Sequence, residues 1–90
     1  MSWYVYLIEC RGGSIYTGIA IDVAARYAAH AAGKGARYTR ARPPQRLLAV
    51  FAVADKSAAL REEIRIKRLS PAAKRALVAG AELPAELAGG

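Results

Sequence analysis

Two runs of strand-forming residues near the N-terminus constrain the fold most. Residues 3–10 (WYVYLIEC) and 15–21 (IYTGIAI) are rich in aromatic and β-branched side chains, and only residues 11–14 (RGGS) separate them. This arrangement is typical of a β-hairpin. Because a chain of 90 residues can bury one modest core but not two, every function of the chain has to share that one core.

The length of the hairpin loop decides which side chains share a face of the sheet. A two-residue Gly12-Gly13 turn would place Tyr6 and Tyr16 on opposite faces, since a slip of one residue turns every side chain over. A three-residue loop with a left-handed Gly13 would instead pair Tyr6 with Gly18 and bring both rings to one face. In that register Gly18 has a structural role, because its missing side chain leaves room beside Tyr6 for a ligand to approach. One tyrosine alone is an ordinary strand residue, but the pair with a glycine predicts a site.

The rest of the chain alternates helical and strand patterns. Asp22 is a candidate N-cap for an alanine-rich helix, and the nearly continuous apolar run of residues 45–54 indicates a strand covered on both faces, at or near the sheet centre. The expected segments are a helix over 23–32, a basic loop over 33–44, a strand over 45–54 and helices ending near 69 and 79. The order β-β-α-β-α-α predicts an α+β domain: a small three-stranded, mostly antiparallel sheet flanked by helices. We expect one domain over residues 1–79 and a flexible tail over residues 80–90.

The net charge favours polyanionic partners. Lysine and arginine number 14 against 7 acidic residues, which gives a formal charge of +7, and a basic chain of this size attracts nucleic acid or anionic surfaces. No acidic residue lies between Asp22 and Asp55. The predicted loop there is a candidate nucleic-acid-binding surface, although a solvated basic loop is the simpler alternative. The candidate binding residues are Lys34, Arg37, Tyr38, Arg40 and Arg42.

Several classes of protein are disfavoured. The longest apolar run, residues 47–54, is far shorter than the roughly 20 residues of a membrane-spanning helix, and the N-terminus lacks the pattern of a signal peptide. Cys10 is the single cysteine, which excludes an internal disulfide and a cysteine-based zinc site. We therefore expect a cytoplasmic protein. Anchoring to a membrane by charge alone would be weak.

The first predicted helix carries a pair of residues suited to phosphate chemistry. Arg26 and His30 are four residues apart and therefore lie on one helix face. A permanently charged guanidinium beside an imidazole suits a phosphate together with a group that exchanges protons near neutral pH. The alternative is an ordinary surface pair.

Glu63 stands out in the second long helix. It falls within the apolar stripe predicted from Ala59, Leu60 and Ile64, where a carboxylate requires a partner. Lys67, four residues later, is one candidate partner. A divalent cation is the other.

The order and spacing of these residues resemble the GIY-YIG nuclease domain. Val5-Tyr6-Leu7 stands at the first motif and Tyr16-Thr17-Gly18 at the second, with ten residues between the tyrosines. The similarity continues through the first helix and the segment ALREEIRIK of residues 59–67 to about Val78, and it is greatest to the small stand-alone bacterial members. The first motif departs from the family pattern in lacking its Gly-Ile.

The resemblance implies a metal-dependent endonuclease that hydrolyses phosphodiester bonds by in-line attack of water. Its substrate would be DNA more than RNA, including structured or damaged DNA in repair or recombination. Glu63 would bind one Mg²⁺ or Mn²⁺, Tyr6 assisted by Tyr16 or His30 would deprotonate the water, and Arg26 would stabilise charge on the phosphate. Family nucleases usually join this domain to separate DNA-binding modules, so a protein partner would supply substrate targeting. A nucleic-acid-binding module with little or no catalysis is the alternative.

Overall fold

The computed structural model describes residues 2–81, and the predicted succession of elements is confirmed. The elements are β1 (Trp3–Cys10), β2 (Ile15–Ala20), α1 (Val23–Ala31), α2 (Arg37–Ala41), β3 (Pro44–Val53), α3 (Lys56–Lys67) and α4 (Pro71–Ala79). The five-residue helix α2 lies inside the segment predicted to be a loop. Residues 82–90 of the predicted tail lie outside the described residues.

Side-chain caps set the beginnings of three helices. Asp22 accepts a hydrogen bond from the third backbone N–H of α1, and Asp55 does the same for α3. Ser70 caps α4 in the same way, and Pro71 follows it at the first helical position. Each cap satisfies a backbone donor that the helix itself cannot pair.

Among residues 2–81, no helix combines the length and the apolar character needed to cross a membrane.

The sheet is antiparallel with the strand order β2-β1-β3. The α+β class and the three-stranded sheet are confirmed, but the prediction that the third strand lies at or near the centre is wrong. Leu47 and Val50 pack on one face of the sheet, while Phe51 and Val53 pack on the other. Both faces of β3 are therefore covered, as its apolar run indicated, although only one of its edges is paired by a strand of the described residues. Coverage by helices and position in a sheet are independent properties.

The hairpin adopts the three-residue loop. Tyr6 lies opposite Gly18, and Ile8 lies opposite Tyr16. Gly13 has a φ of 87° and its neighbour Gly12 a φ of 86°, a backbone region that favours glycine. The two tyrosine rings consequently share one face of the sheet.

Helices cover both faces, which gives the sheet two buried clusters. On one face, α3 contributes Ala59 and Ile66 to a cluster with Val5 and Leu7 of β1. On the other face, Val23 of α1 packs with residues of β1 and β2. That second cluster contains Tyr6, Ile8, Cys10, Ala20 and Val23.

The buried face of α3 differs from the predicted one. Leu60 and Ile64, expected in the apolar stripe, are 42% and 51% exposed. Ala59 and Ile66 are buried instead. These two residues are seven apart, which is two helical turns, and the small Ala59 lets the helix lie close to the sheet while Leu60 and Ile64 turn to solvent.

Candidate active site

Tyr6 is the centre of the candidate site. It lies on the central strand, and its side chain is 1% exposed. A Cβ atom added to Gly18 would lie 2.5 Å from Cζ of Tyr6 and 3.1 Å from Cε2 of Tyr16. The space above Gly18, which we expected to receive a ligand, is therefore filled by the Tyr6 ring itself. Gly18 keeps its predicted structural role, but for this different reason.

The hydroxyl of Tyr6 is hydrogen-bonded to His30. Its oxygen lies 2.9 Å from Nε2 of the imidazole, and both side chains are buried. The other ring nitrogen, Nδ1, lies 2.6 Å from Oγ1 of Thr39. The Thr39 hydroxyl in turn donates to the carbonyl oxygen of Ala36 at 2.9 Å. Four residues from β1, α1 and the α2 region thus form one continuous chain of hydrogen bonds.

Tyr16 connects this buried chain to the exposed basic segment. Its ring lies edge-on to His30, with 5.1 Å between the ring centroids. It also stacks on Tyr38 of α2 at 5.8 Å with an interplanar angle of 28°. Tyr38 is 40% exposed and so presents an aromatic ring to solvent beside the site.

Tyr6 and His30 are both uncharged near neutral pH. Burial raises the pKa of Tyr6, the neighbouring Tyr16 and Glu63 act in the same direction, and Arg26 opposes them because its guanidinium favours the phenolate. Burial also lowers the pKa of His30, and the charge of Arg26 lowers it further. Since the ordinary values are about 10 and 6.5, a neutral phenol faces a neutral imidazole. That arrangement allows a proton to pass from one to the other.

The same electrostatic effects show that Arg26 and Glu63 lie close enough to influence Tyr6. Arg26 is four residues before His30 on α1, as predicted, and its side chain is exposed. Glu63 approaches from α3, and its side chain is 18% exposed. Tyr6, Tyr16 and His30 are therefore in direct contact, and the charges of Arg26 and Glu63 reach Tyr6. Glu63 does so from α3, the helix that covers the opposite face of the sheet.

Glu63 forms an ion pair in this structure. Its Oε2 lies 3.4 Å from Nζ of Lys67, one of the two partners that the sequence allowed. Within residues 2–81, no three His, Cys, Asp or Glu side chains form a cluster that could hold a metal ion. A divalent ion at Glu63 would therefore take one protein carboxylate and complete its shell with water and phosphate oxygens. Mg²⁺ is commonly bound in this way, so the donor set fits such an ion.

The predicted nucleic-acid-binding residues all lie on the surface around α2. Their side chains are exposed, and none of the four basic ones makes an ion pair within residues 2–81. Arg46, by contrast, forms an ion pair, with 3.0 Å between its Nε and Oε1 of Glu9. The exposed set is Lys34, Arg37, Tyr38, Arg40 and Arg42.

Two residues of the site were not predicted from the sequence. Thr39 lies within the basic segment, which the sequence predicts to be a surface loop, yet its side chain is buried against His30. Gly35 packs on the same imidazole, because an added Cβ would lie 2.7 Å from Cγ of His30 and closer still to Nδ1. The available clue was the single histidine of the chain: once buried, it requires partners for two ring nitrogens.

Comparison with known proteins gives a family match and several relatives. The family model of the GIY-YIG catalytic domain matches residues 2–76. A UPF0213 protein of Cupriavidus pinatubonensis is 57% identical over 82 residues, which cover 91% of each chain. A UPF0213 protein of Halobacterium salinarum is 51% identical over 74 residues, covering 82% of this chain and 96% of the relative. The names of these relatives specify no activity.

A solved structure supports the same fold. The solution NMR structure of the UPF0213 protein BH0048 from Bacillus halodurans is 49% identical to this chain, with a TM-score of 0.56. The match covers 88% of this chain and 84% of that one.

Val5 and Leu7, which flank the tyrosine of the incomplete first motif, are fully buried here. These two positions therefore serve packing.

Proposed function

We propose, since the chain belongs to the GIY-YIG family of nuclease domains, that it is a metal-dependent endonuclease that hydrolyses phosphodiester bonds in DNA. The observation that carries the proposal is the buried hydrogen bond between the Tyr6 hydroxyl and Nε2 of His30. Arg26 influences the pKa of both groups, and the charge of Glu63 influences the pKa of Tyr6. A base, a cation and a carboxylate within electrostatic reach of one another suit attack on a phosphodiester.

His30 removes the main chemical difficulty of a tyrosine base. A phenol with a pKa near or above 10 is seldom ionised at neutral pH. If the Tyr6 proton passes to Nε2 of His30 while the Tyr6 oxygen takes a proton from water, a free phenolate is never needed. The water oxygen then bonds to phosphorus, and the bond to the leaving oxygen breaks with its electron pair on that oxygen, which takes a proton from solvent. His30 holds the proton that came from the attacking water and releases it before the next turnover.

Access to Tyr6 has to open when substrate binds. The Tyr6 hydroxyl is closed to solvent in the free protein, with the half-buried ring of Tyr16 beside it. Tyr16 also stacks on the exposed Tyr38. A nucleotide that stacks on Tyr38 would compete with this contact, so we expect Tyr16 to be the side chain that moves.

Arg26 and Glu63 complete the proposed mechanism. Arg26 would stabilise negative charge that develops on the phosphoryl oxygens. Glu63 would exchange its surface partner Lys67 for Mg²⁺ or Mn²⁺, and such an ion supplies charge stabilisation at the scissile phosphate and the leaving oxygen. The exposed basic residues around α2 would bind neighbouring phosphates of the DNA, with affinity that falls as salt is added. A protein partner would direct the domain to structured or damaged DNA.

The test uses matched acidic variants on one helix. Glu63→Gln removes the proposed metal ligand, whereas Glu62→Gln removes a carboxylate that is hydrogen-bonded to Arg65 at 2.7 Å. Labelled single-stranded, duplex and branched DNA, and RNA, are incubated with each protein in Mg²⁺, Mn²⁺ or EDTA. We expect Glu63→Gln and Tyr6→Phe to lower cleavage by about 10² or more with binding retained, and Glu62→Gln to cleave like the wild type.

A nucleic-acid-binding module without useful catalysis is the second candidate. Two observations favour it: Glu63 is already paired with Lys67, and Tyr6 is closed to solvent. If the wild-type protein binds nucleic acid but cleaves none of the substrates with any of the ions, this function is established in place of the first. Cleavage that persists unchanged in Glu63→Gln would contradict the proposed metal ligand.

A further inference from the structure

His30 lies between two hydroxyl groups, and these partners determine which ring nitrogen carries its proton. Nε2 faces the Tyr6 hydroxyl at 2.9 Å, and Nδ1 faces the Thr39 hydroxyl at 2.6 Å. A neutral imidazole has one N–H donor and one bare acceptor nitrogen. If Nε2 carried the proton, it could not accept the proton of Tyr6.

The direction of the hydrogen bonds at Thr39 resolves this choice. Its hydroxyl has a single proton and lies 2.9 Å from the carbonyl oxygen of Ala36, which can only accept. If the proton pointed at His30 instead, the hydroxyl oxygen and the carbonyl oxygen would face each other as two acceptors. With the proton directed to Ala36, the Thr39 oxygen is free to accept. Nδ1 of His30 must then be the donor, and Nε2 is left bare.

We propose that Thr39 is a positioning residue that holds His30 in its Nδ1–H tautomer, so that Nε2 is the acceptor for the Tyr6 proton. The assignment of the tautomer depends on the hydrogen bonds alone. Its consequence for catalysis rests on the proposed nuclease function. All three hydrogen bonds then point the same way: Tyr6 donates to His30, His30 donates to Thr39, and Thr39 donates to the carbonyl oxygen of Ala36.

The surrounding backbone supports this role. Gly35 allows the segment before α2 to pack directly on the imidazole, where any side chain would collide with the ring. Thr39 itself is buried within α2, while its neighbours Tyr38 and Arg40 are exposed. The short helix that presents side chains to a substrate is therefore the same one that fixes the protonation of His30. Contact with DNA and the state of the base would be coupled through α2.

Nitrogen NMR tests the tautomer without any activity measurement. Because His30 is the single histidine of the chain, the imidazole resonances of ¹⁵N-labelled protein need no assignment to a residue. The couplings to the ring protons tell Nδ1 from Nε2. At a pH where the ring is neutral, we expect Nδ1 to resonate as a protonated nitrogen and Nε2 as a bare one. The opposite pattern in the wild type overturns the proposal, whatever the variants do.

Two substitutions of similar size separate positioning from packing. Thr39→Val removes the hydroxyl but keeps the shape, and Thr39→Ser keeps the hydroxyl but removes a methyl group. We expect the valine variant to lose the single Nδ1–H pattern and the serine variant to retain it. Circular dichroism at the assay temperature establishes that each variant is folded. If Thr39→Val does not fold, Thr39→Ser and the wild-type spectrum still decide the tautomer.

The kinetic consequence is a loss of kcat rather than of substrate binding. We expect Thr39→Val to lower kcat by about tenfold or more, as befits a weakened general base, with KM and the Kd for DNA within about twofold. Thr39→Ser should retain most of the wild-type kcat. Equal losses in the two variants, or a loss confined to KM, would show a purely structural role. Wild-type protein that cuts no substrate yet shows the Nδ1–H pattern would refute the nuclease function while confirming the tautomer.

Discussion

Gly18→Ala is the sharpest test of how the site is packed. The added Cβ would lie 2.5 Å from Cζ of Tyr6 and 3.1 Å from Cε2 of Tyr16. Carbon atoms in contact are normally about 3.5–4.0 Å apart, so the Tyr6 ring would have to move by about 1 Å or more. That ring is buried and bound to His30, and it cannot move without disturbing the hydrogen bond.

The expected loss of stability follows from these contacts. Overpacking of a buried site costs about 1–3 kcal/mol, and a weakened buried hydrogen bond adds about 1 kcal/mol. Replacing glycine in a strand returns about 0.5–1 kcal/mol through the entropy of the unfolded chain. The free energy of unfolding should therefore fall by about 2 kcal/mol. For a domain of this size, that lowers Tm by about 8–16 °C.

Thermal unfolding followed by circular dichroism measures the effect, and Gly80→Ala is the matched control. Within residues 2–81, an alanine Cβ at Gly80 would meet only the carbonyl oxygen of Leu77, at 3.9 Å, and the φ of Gly80 is −90°. The control should shift Tm by no more than a few degrees. If Gly18→Ala has the same Tm as the control and the wild type, the Tyr6 ring does not occupy the space above Gly18.

Three further outcomes are expected. Because the folded-state pKa of His30 is lowered, the unfolded chain takes up a proton near pH 6.5 while the native protein resists it. The free energy of unfolding should therefore fall as the pH drops below about 6.5 towards the folded-state pKa. Urea titrations from pH 8 to 5 measure this dependence on pH, and we expect it to be absent in the His30→Gln variant. Ile66→Ala should cost about 2–5 kcal/mol, whereas the exposed Ile64→Ala should cost under about 1 kcal/mol, and equal urea midpoints would contradict the assigned face of α3. Arg37→Ala with Arg40→Ala should reduce the slope of log affinity for DNA against log salt by about 2, measured by fluorescence anisotropy.

The hairpin was predictable because its causes are local. The sequence of residues 11–14 includes two glycines that accept positive φ, and this loop fixes the register that puts Tyr6 opposite Gly18. The third strand was misplaced for a related reason. An apolar run reports how the faces of a strand are covered, whereas the pairing of its edges depends on where other strands lie. No residue of β3 carries that information.

Helix periodicity was informative but not sufficient for α3. It placed Glu63 towards the sheet, and the side chain is indeed only 18% exposed. It also placed Leu60 and Ile64 there, yet both are exposed. A stripe of large apolar residues and the face that a helix buries can differ by about a quarter turn, because a small residue such as Ala59 allows a closer approach than leucine would.

The protonation of the site is what sequence patterns could not supply. Periodicity brought Arg26 and His30 to one face of α1, but the chemistry of His30 depends on Thr39, nine residues later and outside any regular repeat. Burial of an imidazole obliges each ring nitrogen to find a partner, and the identity of those partners selects the tautomer. If Thr39 accepts from Nδ1, the orientation of one hydroxyl decides whether Tyr6 has a base beside it. Residue types therefore indicate which reaction a fold can support, whereas the direction of each proton is set by tertiary contacts.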